Sequence, residues 1–144
     1  MISDDCLIHD SVKVIEPVNL YGCTLKKEVF VGPFVEIQKN ALVDEGTRVQ
    51  SHTFICSEVN IGKNCFIGHG VMFINDTFSN NSINFSGPYE KTIIEDNVII
   101  GSNATILPVK IVSGVIIGAG SVVTKDILEI GKYAGNPVKK ISQN

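Results

Sequence analysis

The sequence predicts an all-β fold, a parallel β-helix of hexapeptide repeats with one protruding loop and a short C-terminal extension. Three observations support this prediction. Apolar residues recur at every sixth position through most of the 144 residues. Glycine often follows them, and valine and isoleucine are abundant while tryptophan is absent. Because β-branched residues favour strands, this composition indicates β structure rather than helix.

The first element is a stripe of aliphatic or aromatic residues with a period of six. It comprises Ile8, Val14 and Leu20; then, after a five-residue step, Leu25, Val31, Ile37, Val43, Val49, Ile55, Ile61, Ile67 and Phe73; then Ile94, Ile100 and Ile106; and, after a second five-residue step, Ile111, Ile117 and Val123. A helix would space these residues by three or four positions, and a flat strand by two. A period of six fits a short strand, a corner and another short strand.

Three such units would close a triangular coil of about eighteen residues, and successive coils would stack ~4.8 Å apart, like strands in a sheet. The number of repeats predicts roughly six coils, enough neighbours to build a common core. A second stripe of mostly small or β-branched residues follows four positions after each member of the first. Its members are Val12, Val18, Val29, Val35, Ala41, Thr47, Thr53, Val59, Cys65, Val71, Val98, Ala104, Val115 and Ser121.

Glycines come directly after several members of the first stripe, at Gly32, Gly62, Gly68, Gly101 and Gly118. We expect them at the corners of the coil, because glycine tolerates backbone angles that other residues avoid. The repeat and its appendages are expected to form a single domain over residues 1–144.

The repeat is interrupted after Phe73 by a polar segment of about residues 76–92, in which Gly87-Pro88 is a turn signal. A long loop that leaves a regular solenoid is more often functional than a tolerated insertion. Residues of about 127–144 break the pattern again at Gly135 and Pro137, and we expect them to cap the last coil.

Charge and composition argue against several classes of protein. The formal charge of −3 is not that of a general nucleic-acid-binding protein. No apolar run reaches the ~20 residues that a membrane span needs, and the N-terminal residues are acidic where a signal peptide would be basic. Four cysteines form no CxxC pair, so we expect free thiols and a cytoplasmic protein. They are Cys6, Cys23, Cys56 and Cys65.

The repeat, the single loop and the tail IIGAGSVVTKDILEIGKYAGNPVKKI (116–141) together resemble the hexapeptide-repeat acyltransferases. AGNP followed by lysine, with IGAGSVVTKD, resembles the members that use acetyl-CoA. The segments VEIQ (35–38), VQSHTF (49–54), FIND (73–76) and GSNATILP (101–108) are similar to bacterial N-acetyltransferases of nucleotide-linked amino sugars, especially 3-amino-3-deoxy sugars.

This resemblance implies a left-handed β-helix, which the repeat alone does not predict. It also implies a homotrimer with active sites between subunits, and coenzyme A lying along the groove toward the C-terminal coils. The implied reaction is acetyl transfer to the amine of a dTDP- or UDP-linked deoxyamino sugar, for surface polysaccharide such as the O-antigen of lipopolysaccharide. No metal is implied.

The candidate catalytic residues are Asn75, Asp76 and His69. By resemblance, Asn75 matches an asparagine that hydrogen-bonds the acceptor amine, and Asp76 is a candidate to fix that amine or receive a proton. His69 is a candidate proton acceptor, since the ordinary pKa of histidine is ~6.5. A strong base is not obligatory, because an amine with a pKa near ~8 is appreciably neutral at neutral pH. Asn75 and Asp76 could equally be ordinary corner residues.

The candidate substrate-binding residues are Glu36, Gln38 and His52. Because His52 and His69 follow Val49 and Ile67, which are eighteen residues apart, we expect them on one face in adjacent coils, lining one cleft. Each histidine could instead merely pack at an interface. Glu36 and Gln38 belong to one of the family-like segments and could bind sugar hydroxyls or the amine, or simply be solvated.

The candidate residues for coenzyme A are Gly118, Ala119, Lys139 and Lys140. Backbone N–H groups at Gly118-Ala119 would contact the pantetheine amides, and the lysines would meet phosphates. An adjacent pair of lysines is more usually a solvated surface, and only its place after GNP distinguishes it here.

Other functions fit the sequence less well. Many relatives that acetylate hydroxyl groups have a histidine in the loop, and this loop has none. A carbonic anhydrase would need three histidine ligands for zinc, and His9 lies more than two coils from His52. An ice-binding solenoid would need regular rows of threonine on one flat face, and the threonines here form no such outward row. A purely structural solenoid would leave the loop and the AGNP tail without a role.

Overall fold

The computed structural model describes residues 1–143, which form short strands in three sheets and contain no helix. The first sheet has the order β1 (Leu7–Ile8), β4 (Thr24–Leu25), β7 (Leu42–Val43), β10 (Val59–Ile61), β13 (Thr92–Ile94) and β16 (Lys110–Ile111). The second has the order β2 (Lys13–Val14), β5 (Phe30–Val31), β8 (Arg48–Val49), β11 (Phe66–Ile67), β14 (Ile99–Ile100), β17 (Ile116–Ile117), β19 (Lys132–Ala134) and β20 (Lys139–Ser142). The third has the order β3 (Asn19–Leu20), β6 (Glu36–Ile37), β9 (Phe54–Ile55), β12 (Met72–Phe73), β15 (Thr105–Ile106) and β18 (Val122–Val123).

Successive strands along the chain therefore belong to successive sheets, and every three strands complete one coil. The pairings between coils are parallel from β1 to β19, and only β20 pairs antiparallel, with β19. Six coils are complete, with isolated bridges at Ile2 before the first coil and at Ile127 after the last. The predicted β-helix is confirmed, and its stacking is consistent with the left-handed form.

The core is the two predicted stripes. All members of the six-residue stripe are buried except Ile8 and Val14, which lie in the first coil and are half-buried because the stack ends there. The second stripe is buried in the same way except for Val12. Its hydroxyl groups are satisfied inside the coil: Thr53 Oγ1 donates to the Gly68 carbonyl at 2.8 Å. Threonine can therefore replace valine in this stripe without a lost hydrogen bond.

The glycines that follow the stripe lie where predicted, but the predicted reason is wrong. Gly32, Gly62, Gly68, Gly101 and Gly118 have ordinary negative φ angles. They are glycines because the next coil passes too close: a Cβ on Gly101 would lie 2.5 Å from the backbone nitrogen of Ala119. The left-handed φ angles occur two residues later at the same corners, for example at Asn103 and Gly120.

The C-terminal segment continues the second sheet beyond the last complete coil. β19 pairs with β17, and β20 folds back along β19. Lys140 Nζ lies 2.7 Å from Glu129 Oε1, an ion pair that joins this hairpin to the preceding turn.

The four cysteines are free, as predicted. Burial raises the pKa of the Cys56 thiol to about 12, so this thiol stays protonated at neutral pH. A thiol in that state is a packing residue rather than a nucleophile.

Candidate functional site

The candidate residues surround the third sheet, which has a corner on each side. We call the corner that leads from the second sheet to the third the histidine corner (residues 32–35, 50–53 and 68–71). We call the corner that leads from the third sheet to the first the loop corner (residues 38–41, 56–58 and 74–76). The loop leaves the coil from this second corner, and the chain next forms a strand at Thr92.

Asn75 is fixed at the loop corner by the coil beneath it. Its Nδ2 donates to the Ser57 carbonyl at 3.1 Å, and the side chain is half-buried. Within residues 1–143 its Oδ1 accepts no hydrogen bond from the protein. An oriented amide oxygen of this kind can accept a hydrogen bond from an amine.

A row of polar side chains runs from the third sheet toward Asn75. Glu36 Oε1 accepts from Asn19 Nδ2 at 3.1 Å, and Glu36 Oε2 accepts from Gln38 Nε2 at 3.0 Å. Gln38 Oε1 in turn accepts from the Ser57 backbone N–H at 3.3 Å. Glu36, Gln38 and Asn75 are thus connected across three coils through Ser57.

Tyr21 lies beside this row. Burial raises the pKa of its phenol, and the negative charge of Glu36 raises it further. Tyr89 of the loop also raises the pKa of Tyr21, by a smaller amount. The end of the loop therefore lies near this part of the third sheet. The neutral phenol offers one hydrogen-bond donor and an acceptor beside the carboxylate.

The carboxylate of Asp76 forms hydrogen bonds with the loop backbone rather than pointing only to solvent. Its Oδ1 accepts from the Phe78 N–H at 3.0 Å, and its Oδ2 accepts from the Asn84 N–H at 2.8 Å. Both carboxylate oxygens therefore hold the loop backbone. Each oxygen already accepts one hydrogen bond from the loop, so the loop path depends on this side chain.

Other polar contacts close the loop on itself. Asn84 Oδ1 accepts from the Gly87 N–H at 2.9 Å, and its Nδ2 donates to the Pro88 carbonyl at 3.1 Å. The segment borders a half-open cavity of about 550 Å³ with Asn75 and Asp76 in its wall. Phe78, Ile83 and Phe85 are exposed on the loop.

The two histidines lie at the histidine corner, in adjacent coils and diagonal to one another, as predicted. Both side chains are exposed. The His52 N–H donates to the Pro33 carbonyl at 3.1 Å, and the His69 carbonyl accepts from the Asn103 N–H at 2.8 Å. The His52 ring also contacts Phe34, with ring centroids 4.9 Å apart.

The structure does not bring the histidines to Asn75 within one chain. They follow strands of the second sheet, while Asn75 follows a strand of the third, so the width of the third sheet separates the two groups. The candidate residues therefore form two half-sites on one chain.

The candidate residues for coenzyme A differ in their availability. The Gly118 N–H is used within the coil, since it donates to the Tyr133 carbonyl at 2.8 Å. Ala119 is exposed, and its N–H has no backbone acceptor among the described residues. Lys139 is exposed, whereas the charge of Lys140 is paired with Glu129, whose pKa it lowers.

A cavity of about 550 Å³ lies between the last coil and the C-terminal hairpin, with Lys125 and Lys140 in its wall. Of the cationic groups near this end, Lys125, Lys132 and Lys139 form no ion pair among the described residues, and of these Lys125 and Lys139 are exposed while Lys132 is half-buried. Ala119, Lys125 and Lys139 are thus the groups best placed to bind an extended anionic cofactor.

Phe34, Tyr21 and Asn84 were not predicted from the sequence. Phe34 carried a usable signal, because it precedes His52 by one eighteen-residue coil. Tyr21 precedes Gln38 by one seventeen-residue coil, shortened by the first five-residue step. Asn84 carried none, since its hydrogen bonds depend on the path of the loop.

Residues 1–143 contain no group of three or more His, Cys, Asp or Glu side chains arranged to hold a metal ion. In the same residues no helix has the length and apolar character needed to cross a membrane.

Comparison with known families supports the repeat. The sequence model of the "hexapeptide repeat of succinyl-transferase" matches residues 58–72 and 91–125, leaving out the loop. The bifunctional protein GlmU of Thermodesulfovibrio yellowstonii is 30% identical over 134 residues, which cover 85% of this chain and 29% of that protein. The chain thus spans less than a third of the length of the curated relatives it matches.

Solved structures support the fold. AntD of Bacillus cereus, an N-acyltransferase crystallised with dTDP-4-amino-4,6-dideoxyglucose and coenzyme A, is 25% identical with a TM-score of 0.53. The match covers 98% of this chain and 78% of AntD. A hexapeptide-repeat acetyltransferase of Vibrio cholerae, crystallised with acetyl coenzyme A, is 20% identical with a TM-score of 0.59 over 97% of this chain and 72% of that one. The resemblance seen in the sequence is confirmed.

Proposed function

Because this chain belongs to the hexapeptide-repeat acyltransferases, we propose that it transfers the acetyl group of acetyl-CoA to the amine of a nucleotide-linked deoxyamino sugar. The observation that carries the proposal is the fixed amide of Asn75. Asn75 lies in the wall of the loop cavity, and its Oδ1, which accepts no hydrogen bond within residues 1–143, would accept one from the acceptor amine. The curated relatives are longer than this chain, so its activity is inferred from the site and not transferred from them.

The reaction needs orientation more than a strong base. The lone pair of the neutral amine attacks the thioester carbonyl carbon, and a C–N bond forms. The tetrahedral intermediate collapses with cleavage of the C–S bond. The amine proton passes to the leaving sulfur or to His69, and the products are the amide and coenzyme A. Asn75 would hold the amine in line for this attack.

Glu36 and Gln38 would bind the sugar, because their polar row leads along the third sheet to the loop corner. Tyr21 would add a donor to this row. The Ala119 N–H would bind a pantetheine amide of coenzyme A, and Lys139 would bind its phosphates. Gly118 would serve as the small residue that lets the cofactor approach, because its own N–H is used within the coil.

The separation of the two half-sites supports an active site between subunits. If a neighbouring copy brings its histidine corner against the loop corner, His69 and Asn75 would meet across the interface. Exposed apolar residues flank the histidine corner on the sheet faces: Phe66 is 38%, Met72 42% and Ile99 43% exposed. Such side chains are suited to burial against another copy, and a homotrimer would supply three equivalent sites.

The free cysteines fit a reducing compartment such as the cytoplasm. The product class fits the assembly of surface polysaccharide, including O-antigen. We propose 3-amino sugars as the acceptors because of the sequence segments that resemble enzymes acting on them. AntD, in contrast, was crystallised with a 4-amino sugar.

Incubation with acetyl-CoA and a panel of dTDP- and UDP-linked amino sugars, analysed by mass spectrometry, tests the proposal. The panel should include 3-amino and 4-amino isomers and a matched sugar that carries only hydroxyl groups. Gain of one acetyl group by one amino sugar identifies the reaction. Acetylation of the hydroxyl sugar instead would indicate an O-acetyltransferase, and no acetylation at all would contradict the proposal.

A further inference from the structure

Phe34 and His52, the aromatic pair at the histidine corner, have unusual backbone φ angles. Phe34 has a φ of 63° and His52 a φ of 67°, both in the left-handed region. Bulky residues seldom adopt this region, because the side chain crowds the backbone. Backbone strain of this kind is retained where the surrounding structure enforces it and often marks a functional position.

Other corners show what the backbone prefers at this position. The same left-handed position in later coils of the histidine corner holds Gly70, Asn103 and Gly120. Equivalent positions at the other corners are mostly glycine or asparagine, with Glu28 and Glu58 as the exceptions: Gly22, Asn40, Gly46, Asn64, Asn97 and Gly114. Glycine and asparagine are the residues that tolerate this conformation best. Packing does not explain Phe34, since the side chain is 57% exposed.

The two rings form one surface. Their centroids lie 4.9 Å apart and their planes differ by 32°. Beside Phe34 is a groove of about 260 Å³ whose wall includes Asn19 and Glu36. The exposed ring therefore stands next to a carboxylate and an amide that are already connected by a hydrogen bond of 3.1 Å.

We propose that Phe34 and His52 form an aromatic shelf that stacks the base of the nucleotide-linked acceptor. This inference rests on the proposed function and adds the part of the site that recognises the nucleotide. A nucleobase is planar and carries N–H donors at its edge. Each oxygen of Glu36 has a lone pair beyond the hydrogen bond it already accepts, so the carboxylate can receive such a donor.

The chemistry of the groove favours a base over a sugar. An aromatic ring with an adjacent acceptor suits a flat heterocycle, and stacking of this kind tolerates different bases. The sugar then extends toward Gln38 and the loop corner, where the polar row and the Tyr21 hydroxyl offer hydrogen bonds. The shelf thus separates recognition of the nucleotide from recognition of the amine.

Isothermal titration calorimetry with UDP and dTDP tests the shelf without requiring catalysis. The variant is Phe34→Asn, which removes the ring while giving the corner a residue that suits its backbone. We expect this variant to keep or raise the melting temperature. We expect it to bind both nucleotides about tenfold more weakly, because stacking is lost. Inorganic pyrophosphate, which has no base, should bind the wild type and the variant equally.

Phe78→Asn is the matched control. Phe78 is also 57% exposed and has a φ of 55°, but it lies in the loop away from this groove. Nucleotide affinity that falls in Phe78→Asn and is unchanged in Phe34→Asn would overturn the shelf and move the base to the loop. A loss of oligomer mass in Phe34→Asn by light scattering, with nucleotide affinity unchanged, would identify the ring as a subunit contact only and would also overturn the shelf.

The outcomes separate this inference from the proposed function. Unchanged nucleotide affinity in Phe34→Asn, with acetyl transfer by the wild type intact, would refute the shelf alone. Absence of acetyl transfer by the wild type, with nucleotide binding that depends on Phe34, would refute the proposed reaction alone.

Discussion

The coils and the loop are held together by different forces. In the coils, each apolar side chain stacks on its copies above and below, and the backbone groups bond to the next coil. In the loop, the contacts are polar, and Asp76 and Asn84 bind the backbone with their side chains. The coils repeat the same contacts from one to the next, whereas the loop is held by individual polar contacts, among them those of Asp76 and Asn84.

This contrast explains where variation is tolerated. A change in the coil is felt by the coils on both sides, because their backbones are in contact. A change in the loop is local, because the loop shares no apolar core with the coils. The coils should therefore govern stability, and the loop corner should govern activity.

The largest expected effect is on stability, from Gly101→Ala. The added Cβ would lie 2.5 Å from the Ala119 nitrogen, a backbone atom that cannot move independently. We expect the free energy of unfolding to fall by about 1–3 kcal/mol, as in other overpacked sites. Chemical denaturation followed by circular dichroism measures the change.

Gly120→Asn is the control for this variant, because Gly120 has a φ of 69° and open space around it. It should change the free energy of unfolding by less than about 0.5 kcal/mol. Equal losses in both variants would mean that backbone angle, and not close approach, requires glycine in these coils.

The next effect is on activity, from Asn75→Ala. Loss of the amide that orients the amine should lower kcat/KM for the amino sugar about tenfold or more, with a small change in stability. Asn60→Ala is the control, since Asn60 is an exposed residue of the first sheet, outside the loop cavity, whose amide makes no hydrogen bond within residues 1–143. An unchanged kcat/KM in Asn75→Ala would remove Asn75 from the mechanism.

A smaller effect is expected from Asp76→Asn, because Asp76 holds the loop. The substitution leaves only one carbonyl oxygen as acceptor, so the amides of Phe78 and Asn84 should exchange with solvent roughly tenfold faster. Hydrogen–deuterium exchange measures this, and strands such as β11 should keep their protection. Asp10→Asn, at an exposed residue without a side-chain hydrogen bond among those described, is the control.

The pH dependence of Asp76→Asn separates this structural role from catalysis. If Asp76 only positions the loop, KM rises while the pH profile of kcat/KM keeps its shape. Loss of the acidic limb of that profile would instead identify Asp76 as the group that receives the proton, which was one of its two predicted roles.

The smallest effect concerns the C-terminal hairpin and depends on pH. Lys140 holds the pKa of Glu129 below its ordinary value of 4.5, so their pairing stabilises the fold above that pH and is lost as the pH falls through the lowered pKa. Lys140→Gln should lower the melting temperature slightly at pH 7 and should have a smaller effect near pH 3. An equal loss at both values would exclude the ion pair as the cause, and Lys139→Gln is the control.

The sequence predicted the coils well because the repeat and the fold have the same period. The repeat also allowed the separation of His52 from Asn75 to be predicted. His52 follows Val49 and Asn75 follows Phe73, and counting repeats places Val49 and Phe73 on different sheets of the triangle. The function of Gly101 was misread because a close backbone approach leaves the same sequence signal as an unusual φ angle. The bonds of Asp76 and Lys140 were not predictable, because they depend on the path of a loop and of a hairpin that no repeat specifies.

Mixing of two inactive variants tests most directly whether each active site is shared between subunits. Asn75→Ala and a His52→Ala/His69→Ala double variant would be unfolded, mixed in equal amounts and refolded together, with each variant refolded alone as a control. If each site takes its histidine corner from one chain and Asn75 from its neighbour, random trimers should recover about a quarter of wild-type acetyl transfer. Activity no higher than that of the variants alone, in trimers shown to be mixed by native mass spectrometry, would contradict this account.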